Sequence, residues 1–286
     1  MATRDHSRIR WFKVGTNEPH LKVPLFRNNL LLSVHKVIQE FLIVDSRERR
    51  LSNNWNSPEV LLIARRSSNY AGTRFNRRGQ DFKGNVANDV ETEQLVYQRG
   101  QRGEITSFVQ HRGSIPIFWY QDMGSVPQKP PIELGHRDPW YQATGEHFKG
   151  LIGRYGSPII AFNLVKKHSP GESDLGFEYK MAIEYLNQFL DEKIDWRWTD
   201  IAKLRKSGQF GDDFNDECRQ VARHVGISSS KKKQNGVVRV NCVDCLDRTN
   251  LTQVNIGLVA LQDQLGGVLS HLDRSSLCVK IVLSHM

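Results

Sequence analysis

From Glu59 to Tyr120 the chain reads as short apolar and β-branched runs, Leu61 to Ala64, EQLVYQ at 93–98, ITSFVQ at 105–110 and IPIFW at 115–119, separated by Gly-, Asn- and Arg-rich turns. This pattern predicts a sheet with long basic connections. After the loop at 123–139 the period switches back and forth between helix and strand. Trp140, Ala143, Phe148, Leu151 and Tyr155 mark a helix, PIIAFNLV a buried strand, and Ala182, Tyr185, Leu186 and Phe189 a second helix. Phe214, Cys218, Val221, Ala222 and Val225 mark a third helix, which makes Cys218 a buried small hydrophobe. GVVRVN then predicts a strand, and Leu251, Val254, Leu258, Leu261 and Leu265 lie on one face of a final helix. Such alternation predicts an α/β catalytic unit over residues 58–286. Residues 1–57 hold a helix-like piece around Leu31, Val34, Ile38 and Phe41 running into a polar stretch, and read as a partial N-terminal lobe.

A chain of 286 residues with 38% hydrophobic and 25% charged positions has the composition of a globular protein. Its net charge of +9 favours an anionic partner: nucleic acid, an acidic membrane face or a phosphorylated small molecule. The sequence shows no nucleic-acid-binding motif, so nucleic acid is not an expected partner. Four cysteines and an N-terminus without an apolar signal segment point to a reducing compartment. No apolar run approaches the roughly 20 residues that cross a bilayer, so membrane contact is expected to be peripheral.

Between the last strand and the last helix lies RVNCVDCLDRTN, residues 239–250. Cys242 and Cys245 have the spacing of a metal clip or a redox pair, but a structural zinc needs about four ligands, and the other cysteines and His224 offer no second pair. Both cysteines as core fillers is the plainer alternative, yet it leaves Asp244, Asp247 and Arg248 unexplained, because charges are not buried without partners. A third reading joins Cys242 to Arg248 as CX5R across a strand-to-helix turn. Such a loop can turn its backbone N–H groups onto the oxygens of a phosphate, with the positive end of the helix behind them. The same field favours a thiolate at Cys242, and the planar fork of Arg248 suits two phosphate oxygens.

The motif resembles the signature of the Sac-domain phosphoinositide phosphatases. AGTRFNRRG, GNVANDVETEQLV, FVQHRGSIPIFW and DPWYQATGEHFKGLIGRYGSPIIAFNL also resemble blocks of that family, so that the resemblance spans roughly 58–165 and 236–266. Several segments look most like the branch that removes the 5-phosphate from phosphatidylinositol 3,5-bisphosphate on endosomal and vacuolar membranes. The branch acting on phosphatidylinositol 4-phosphate or 3-phosphate at the endoplasmic reticulum and Golgi is the alternative, and a weakly catalytic phosphoinositide-binding scaffold protein is a further one. The chain departs from the family at DWRWTD, where Arg197 and Thr199 stand in place of an aspartate and a histidine, and its N-terminal lobe is short. Together with an end soon after the motif helix, this leads to the expectation of a fragment of a longer protein or an imperfect gene model.

The resemblance implies a Sac-type α/β fold and a cysteine-dependent phosphatase needing no metal and no cofactor. Cys242 is the expected nucleophile, forming a phosphocysteine that water hydrolyses. Arg248 and the loop from Val243 through Asp244, Cys245, Leu246 and Asp247 are expected to bind the phosphate. Asp244 and Asp247 are the candidate proton donors, Asp244 ahead; the alternative for Asp247 is to orient Arg248. Thr249 either hydrogen-bonds the Cys242 sulfur or caps the helix, and Asn241 either shapes the loop or serves an ordinary turn. Cys245 is either a spacer or a partner for a disulfide with Cys242. His111 and Arg112 approach the site on resemblance alone. Arg65, Arg66, Arg74, Arg77 and Arg78 fall within fourteen residues without an acid and read either as a basic rim for an anionic membrane or as a solvated loop. Lys231 to Lys233 read as an exposed loop. A phosphoinositide lipid, an anionic membrane surface and a scaffold protein are the expected partners.

Overall fold

Apolar runs from both ends of the chain meet in one six-stranded sheet. The computed structural model describes residues 58–72, 76–98, 105–121, 130–207 and 211–268. The expected N-terminal lobe, Arg74 and Cys278 lie outside the described residues. Strands β1 (Pro58–Arg66), β2 (Val90–Gln98) and β3 (Thr106–Arg112) form an antiparallel meander. Helix α1 (Gln142–Tyr155), strand β6 (Ile159–Asn163), helix α2 (Glu172–Leu186), strand β7 (Asp195–Trp198), helices α3 (Ile201–Ser207) and α4 (Asp212–Val225), strand β8 (Val237–Asn241) and helix α5 (Asp247–Val268) follow. The order across the sheet is β1-β2-β3-β8-β6-β7, with every pairing from β3 to β7 parallel. A two-stranded ribbon, β4 (Trp119–Tyr120) and β5 (Glu133–Leu134), stands apart, so most of IPIFW forms a connection rather than a long strand.

The alternation of side chains along β6 and β8 builds two cores. Ile160, Phe162, Val238 and Val240 pack with Phe214, Cys218 and Val221 of α4 and Ile256 and Val259 of α5. Ile159, Ala161 and Val237 face the opposite way, toward Phe148 and Leu151 of α1 and Leu175, Tyr179 and Ala182 of α2. The result is three layers, with β6 and β8 buried along their whole length, as expected of parallel strands covered on both faces. Gly236 admits the chain to β8 at φ +73°, where an added Cβ would stand 1.8 Å from the Pro158 carbonyl oxygen.

Two differences from the sequence reading have physical causes. The α2 helix starts well before Ala182, while Phe189 lies beyond it and is exposed. Helix α5 is buried nearly all round rather than on one face, and polar side chains on it such as Thr249, Asn250 and Gln264 find partners. Gln94 of β2 donates to the Gly257 carbonyl at 3.0 Å and to Gln264 at 2.7 Å, and Gln110 of β3 donates to the Gln253 carbonyl at 3.1 Å. Glutamines thus lace the meander to the helix that carries the motif.

Candidate active site

The parallel strands β3, β8 and β6 end side by side, and the motif loop leaves β8 at that edge, where α/β sheets place ligands. Asn241 closes β8. Its side-chain amide donates to Asn163 at the end of β6 (2.6 Å), and its oxygen accepts from Arg239 (3.0 Å), so it ties the two strand ends together beneath the loop. Residues 242–246 then turn the chain into α5, which begins at Asp247. Cys245 takes a left-handed conformation at φ +51°, uncommon for a residue with a Cβ, and its thiol lies 3.5 Å from the Cys242 carbonyl oxygen as donor.

Cys242 is 2% exposed, and the Thr249 hydroxyl donates to its sulfur at 3.1 Å. Thr249 is inside α5 rather than before it, so its side chain serves the sulfur and not a helix cap. Burial, reinforced by the neighbouring Cys242, pushes the Cys245 thiol up to about 12, which keeps it protonated. Cys218, in the core of α4, is likewise pushed up by burial. Cys218, Cys242 and Cys245 are free cysteines, and no group of three or more potential metal ligands gathers among the described residues.

Arg248, in the first turn of α5, reaches across to the end of β6. Its Nη1 donates to the Leu164 carbonyl at 2.9 Å and to the Glu172 carboxylate at 2.7 Å. Burial works against its charge, but the Cys242 sulfur, Glu172 and Asp244 outweigh burial and raise its pKa above the ordinary value. Glu172 is buried at the start of α2 and also accepts the Lys166 backbone N–H at 2.9 Å. The acid that orients Arg248 is therefore Glu172. Asp247, expected as an alternative for that task, is exposed at the first position of α5, where a carboxylate favours the helix terminus.

The arginine-rich stretch divides. Arg65 pairs with Glu91 and Glu93 across the β1–β2 ladder, both at 2.6 Å, and Arg77 lies exposed over the Tyr70 ring. Arg78 belongs to neither a rim nor a solvated loop. It is 4% exposed and donates to Gln121 (2.9 Å), to the Val243 carbonyl (3.2 Å) and to Asp244 Oδ1 (2.5 Å). Arg112, 6% exposed, donates to the Cys245 carbonyl (3.3 Å) and to Asn250 (2.5 Å). His111, on the other face of β3, pairs with Asp89 at 2.6 Å instead of the loop. Burial opposes the Asp89 charge, but His111, by charge and hydrogen bond, holds the carboxyl well below the usual range. Lys231 to Lys233 are exposed, as expected.

Sequence reasoning missed Glu172, Leu164, Asn163 and the role of Arg78. Arg112 carried a signal, since Phe108, Gln110 and Arg112 share the inward register of β3 and all are buried. Beneath the loop, Arg239 is fully buried and donates to the Ser114 carbonyl, to Asn241 and to His147 Nε2. Burial, with Arg239 alongside, keeps His147 well below its ordinary pKa. The neutral ring donates from Nδ1 to the Gly84 carbonyl at 3.0 Å and accepts at Nε2 from Arg239.

A family model described as the SacI homology domain matches residues 16–206. The chain is 42% identical over 229 residues to a polyphosphoinositide phosphatase of Schizosaccharomyces pombe, covering 72% of this chain and 27% of that relative. It is 36% identical over 288 residues to phosphoinositide phosphatase SAC2 of Arabidopsis thaliana, covering 77% of this chain and 36% of the relative. With phosphatidylinositol-3-phosphatase SAC1 of Arabidopsis thaliana the figures are 34% over 297 residues, 77% and 33%. The chain thus spans about a third of the length of these curated relatives. A match over more than half its residues, on an α/β sheet whose last strand and helix flank the motif loop, places this chain in the SacI homology domain family.

Proposed function

We propose that the protein is a phosphoinositide phosphatase that hydrolyses a ring phosphate, with the 5-phosphate of phosphatidylinositol 3,5-bisphosphate as its substrate, through a phosphocysteine. The observation that carries this reading is the hydroxyl of Thr249 on the Cys242 sulfur, on a loop whose arginine is held at its first helical turn by Glu172. The Cys242 sulfur forms a bond to phosphorus as the bond to the inositol oxygen breaks, and that oxygen takes a proton from the enzyme. Water then attacks phosphorus, releasing phosphate and restoring the thiolate. The loop amides, the N-terminus of α5 and Arg248 stabilise the charge on the transferring group. Thr249 supports the sulfur anion, and Cys245, kept protonated by its burial, leaves Cys242 as the nucleophile.

Asp244 and Asp247 are the proton donors to compare. Asp244 Oδ1 is engaged by Arg78, and Asp247 is exposed at the helix start. Asparagine at the true donor lowers release from lipid by about 10² to 10⁴, because the inositol oxygen is a poor leaving group. The same variant leaves an aryl phosphate, whose leaving group needs no proton, hydrolysed at close to the original rate.

Support for the bisphosphate substrate comes from the 42% identity to a protein named polyphosphoinositide phosphatase. The identity of 34% to a protein named phosphatidylinositol-3-phosphatase favours a monophosphate as the second reading. A third reading is a weakly catalytic phosphoinositide-binding scaffold protein. The site of action in the first reading is the cytosolic face of endosomal or vacuolar membranes, in the second the endoplasmic reticulum or Golgi. Contact is peripheral, aided by a scaffold protein; no helix among the described residues is long and apolar enough to cross a membrane. Phosphate release from each phosphoinositide isomer in mixed vesicles, with and without EDTA, tests the scheme. Preferential, EDTA-resistant release from the 3,5-bisphosphate is expected; release only from monophosphates selects the second reading, and binding without release the third.

A further inference from the structure

Two buried arginines reach the motif loop from the antiparallel half of the sheet, and both donate to its peptide carbonyls. Arg78 comes from the connection between β1 and β2 and holds the Val243 carbonyl at 3.2 Å. Arg112 is the last residue of β3 and holds the Cys245 carbonyl at 3.3 Å. A trans peptide is planar, so the carbonyl of one residue and the N–H of the next point in opposite directions. Anchoring the Val243 carbonyl turns the Asp244 N–H away from Arg78. Anchoring the Cys245 carbonyl turns the Leu246 N–H away from Arg112. The Cys245 thiol on the Cys242 carbonyl does the same for the Val243 N–H.

The geometry points to Arg78 and Arg112 as positioning residues that hold the loop's peptide planes in the orientation needed to bind a tetrahedral oxyanion. They do so without touching it. This rests on the reading of the loop as a phosphate site and extends it to residues far outside the motif. A loop free to rotate its peptides would have to order them each time phosphate bound, whereas anchored peptides meet the anion already aligned. The side-chain type also matters. Arg78 uses Nε, Nη1 and Nη2 on three separate acceptors, Gln121, Val243 and Asp244, while its guanidinium carbon lies 5.6 Å from the Trp119 ring centroid. A lysine ammonium, one compact donor at the end of a flexible stem, cannot reproduce that planar span. Arg112 shares one nitrogen between the Cys245 carbonyl and the Asn250 side chain, and so fixes the loop and the first turn of α5 relative to each other.

The test compares Arg78→Met, Arg78→Lys, Arg112→Met and Arg112→Lys with the unaltered chain, using vanadate and inorganic phosphate as probes. Active enzyme is counted by labelling Cys242 with iodoacetamide in the presence and absence of vanadate, and folding is followed by thermal melting. The methionine variants are expected to weaken vanadate and phosphate inhibition about ten- to a hundredfold per active molecule, with the lysine variants in between. Arg77→Met, on the exposed neighbour, is expected to leave inhibition unchanged. A purely structural role lowers the number of active molecules but not the affinity of those that remain. Loss of activity only in proportion to labelled Cys242, with inhibition constants unchanged, overturns the inference. Should the methionine variants fail to fold, the lysine variants decide by the same criterion. A wild-type chain whose Cys242 gains no protection from vanadate or phosphate overturns the proposed function and this inference together. Protection in the wild type with unaltered affinity in the variants overturns the inference alone.

Discussion

The two halves of the sheet contribute to the site in different ways. The parallel half, β8-β6-β7, carries the motif loop, the strand ends tied by Asn241 and Asn163, and Glu172, which holds Arg248. The antiparallel half, β1-β2-β3, holds none of the motif, yet it sends Arg78 and Arg112 to the loop from the other side. Parallel strands end together and leave one edge where chain turns and helix termini converge, which is where groups that touch a ligand accumulate. The meander offers rigid backing instead. The site is thus assembled at the seam between β3 and β8, where the sheet changes from antiparallel to parallel.

That division can be tested by weakening each half in turn. The largest effect is expected in the parallel half: Cys242→Ser should lower phosphate release by about four orders of magnitude or more while binding to phosphoinositide vesicles persists. Equal release by variant and wild type would sink the nucleophile assignment. Glu172→Gln removes the carboxylate that holds Arg248 and should cost about 1–3 kcal/mol of stability, measured by denaturant unfolding, together with a lower kcat/KM. A change in stability alone would mean that Glu172 does not orient Arg248 for the reaction. Thr249→Val deletes the hydroxyl on the Cys242 sulfur and should cost about 1 kcal/mol, read as a fall of about fivefold in kcat with KM little changed.

The layer under the seam bears on stability rather than on turnover. His147 is kept neutral by burial beside Arg239, so the unfolded chain takes up a proton on it as pH falls through about 6.5 while the folded chain does not. The unfolded state binds more protons in that window, and stability is lost as pH falls, by up to about 1.4 kcal/mol per pH unit for this group. Thermal melting between about pH 7.5 and pH 5.5 should show the loss, and His147→Gln should flatten it. A slope unchanged by the substitution would assign the titration elsewhere.

How far the sequence could be read follows the same seam. In the parallel half, local rules placed the strands, the α4 helix and the motif, though not Glu172 or the start of α2. The runs IIAFN and VVRVN are strands buried on both faces, and α4 buries the five residues that its 3.6-residue period marked. The motif sits between strand and helix, as the β-branched run and the periodic leucines required. In the antiparallel half the strands were legible but their purpose was not. Arg78 and Arg77 are adjacent in an arginine-rich connection, and nothing local tells the buried one from the exposed one. Arg112 could be placed inward by the register of β3, though not matched to Cys245 and Asn250, more than a hundred residues later.

By itself the sequence determined the alternation of strands and helices, the identity of the loop that carries Cys242 and Arg248, and the family resemblance. Each of these is written in residues close together along the chain, where period, turn chemistry and spacing act directly. Only the tertiary structure decided that Glu172 and not Asp247 orients Arg248, that Thr249 serves the sulfur, and that Arg78 and Arg112 grip the loop from the far side of the seam. Those choices depend on which distant segments the sheet order brings together. A guanidinium serves in water or, where buried acceptors meet its donors and offset its desolvation, inside the fold, so its residue type alone does not reveal where folding will place it.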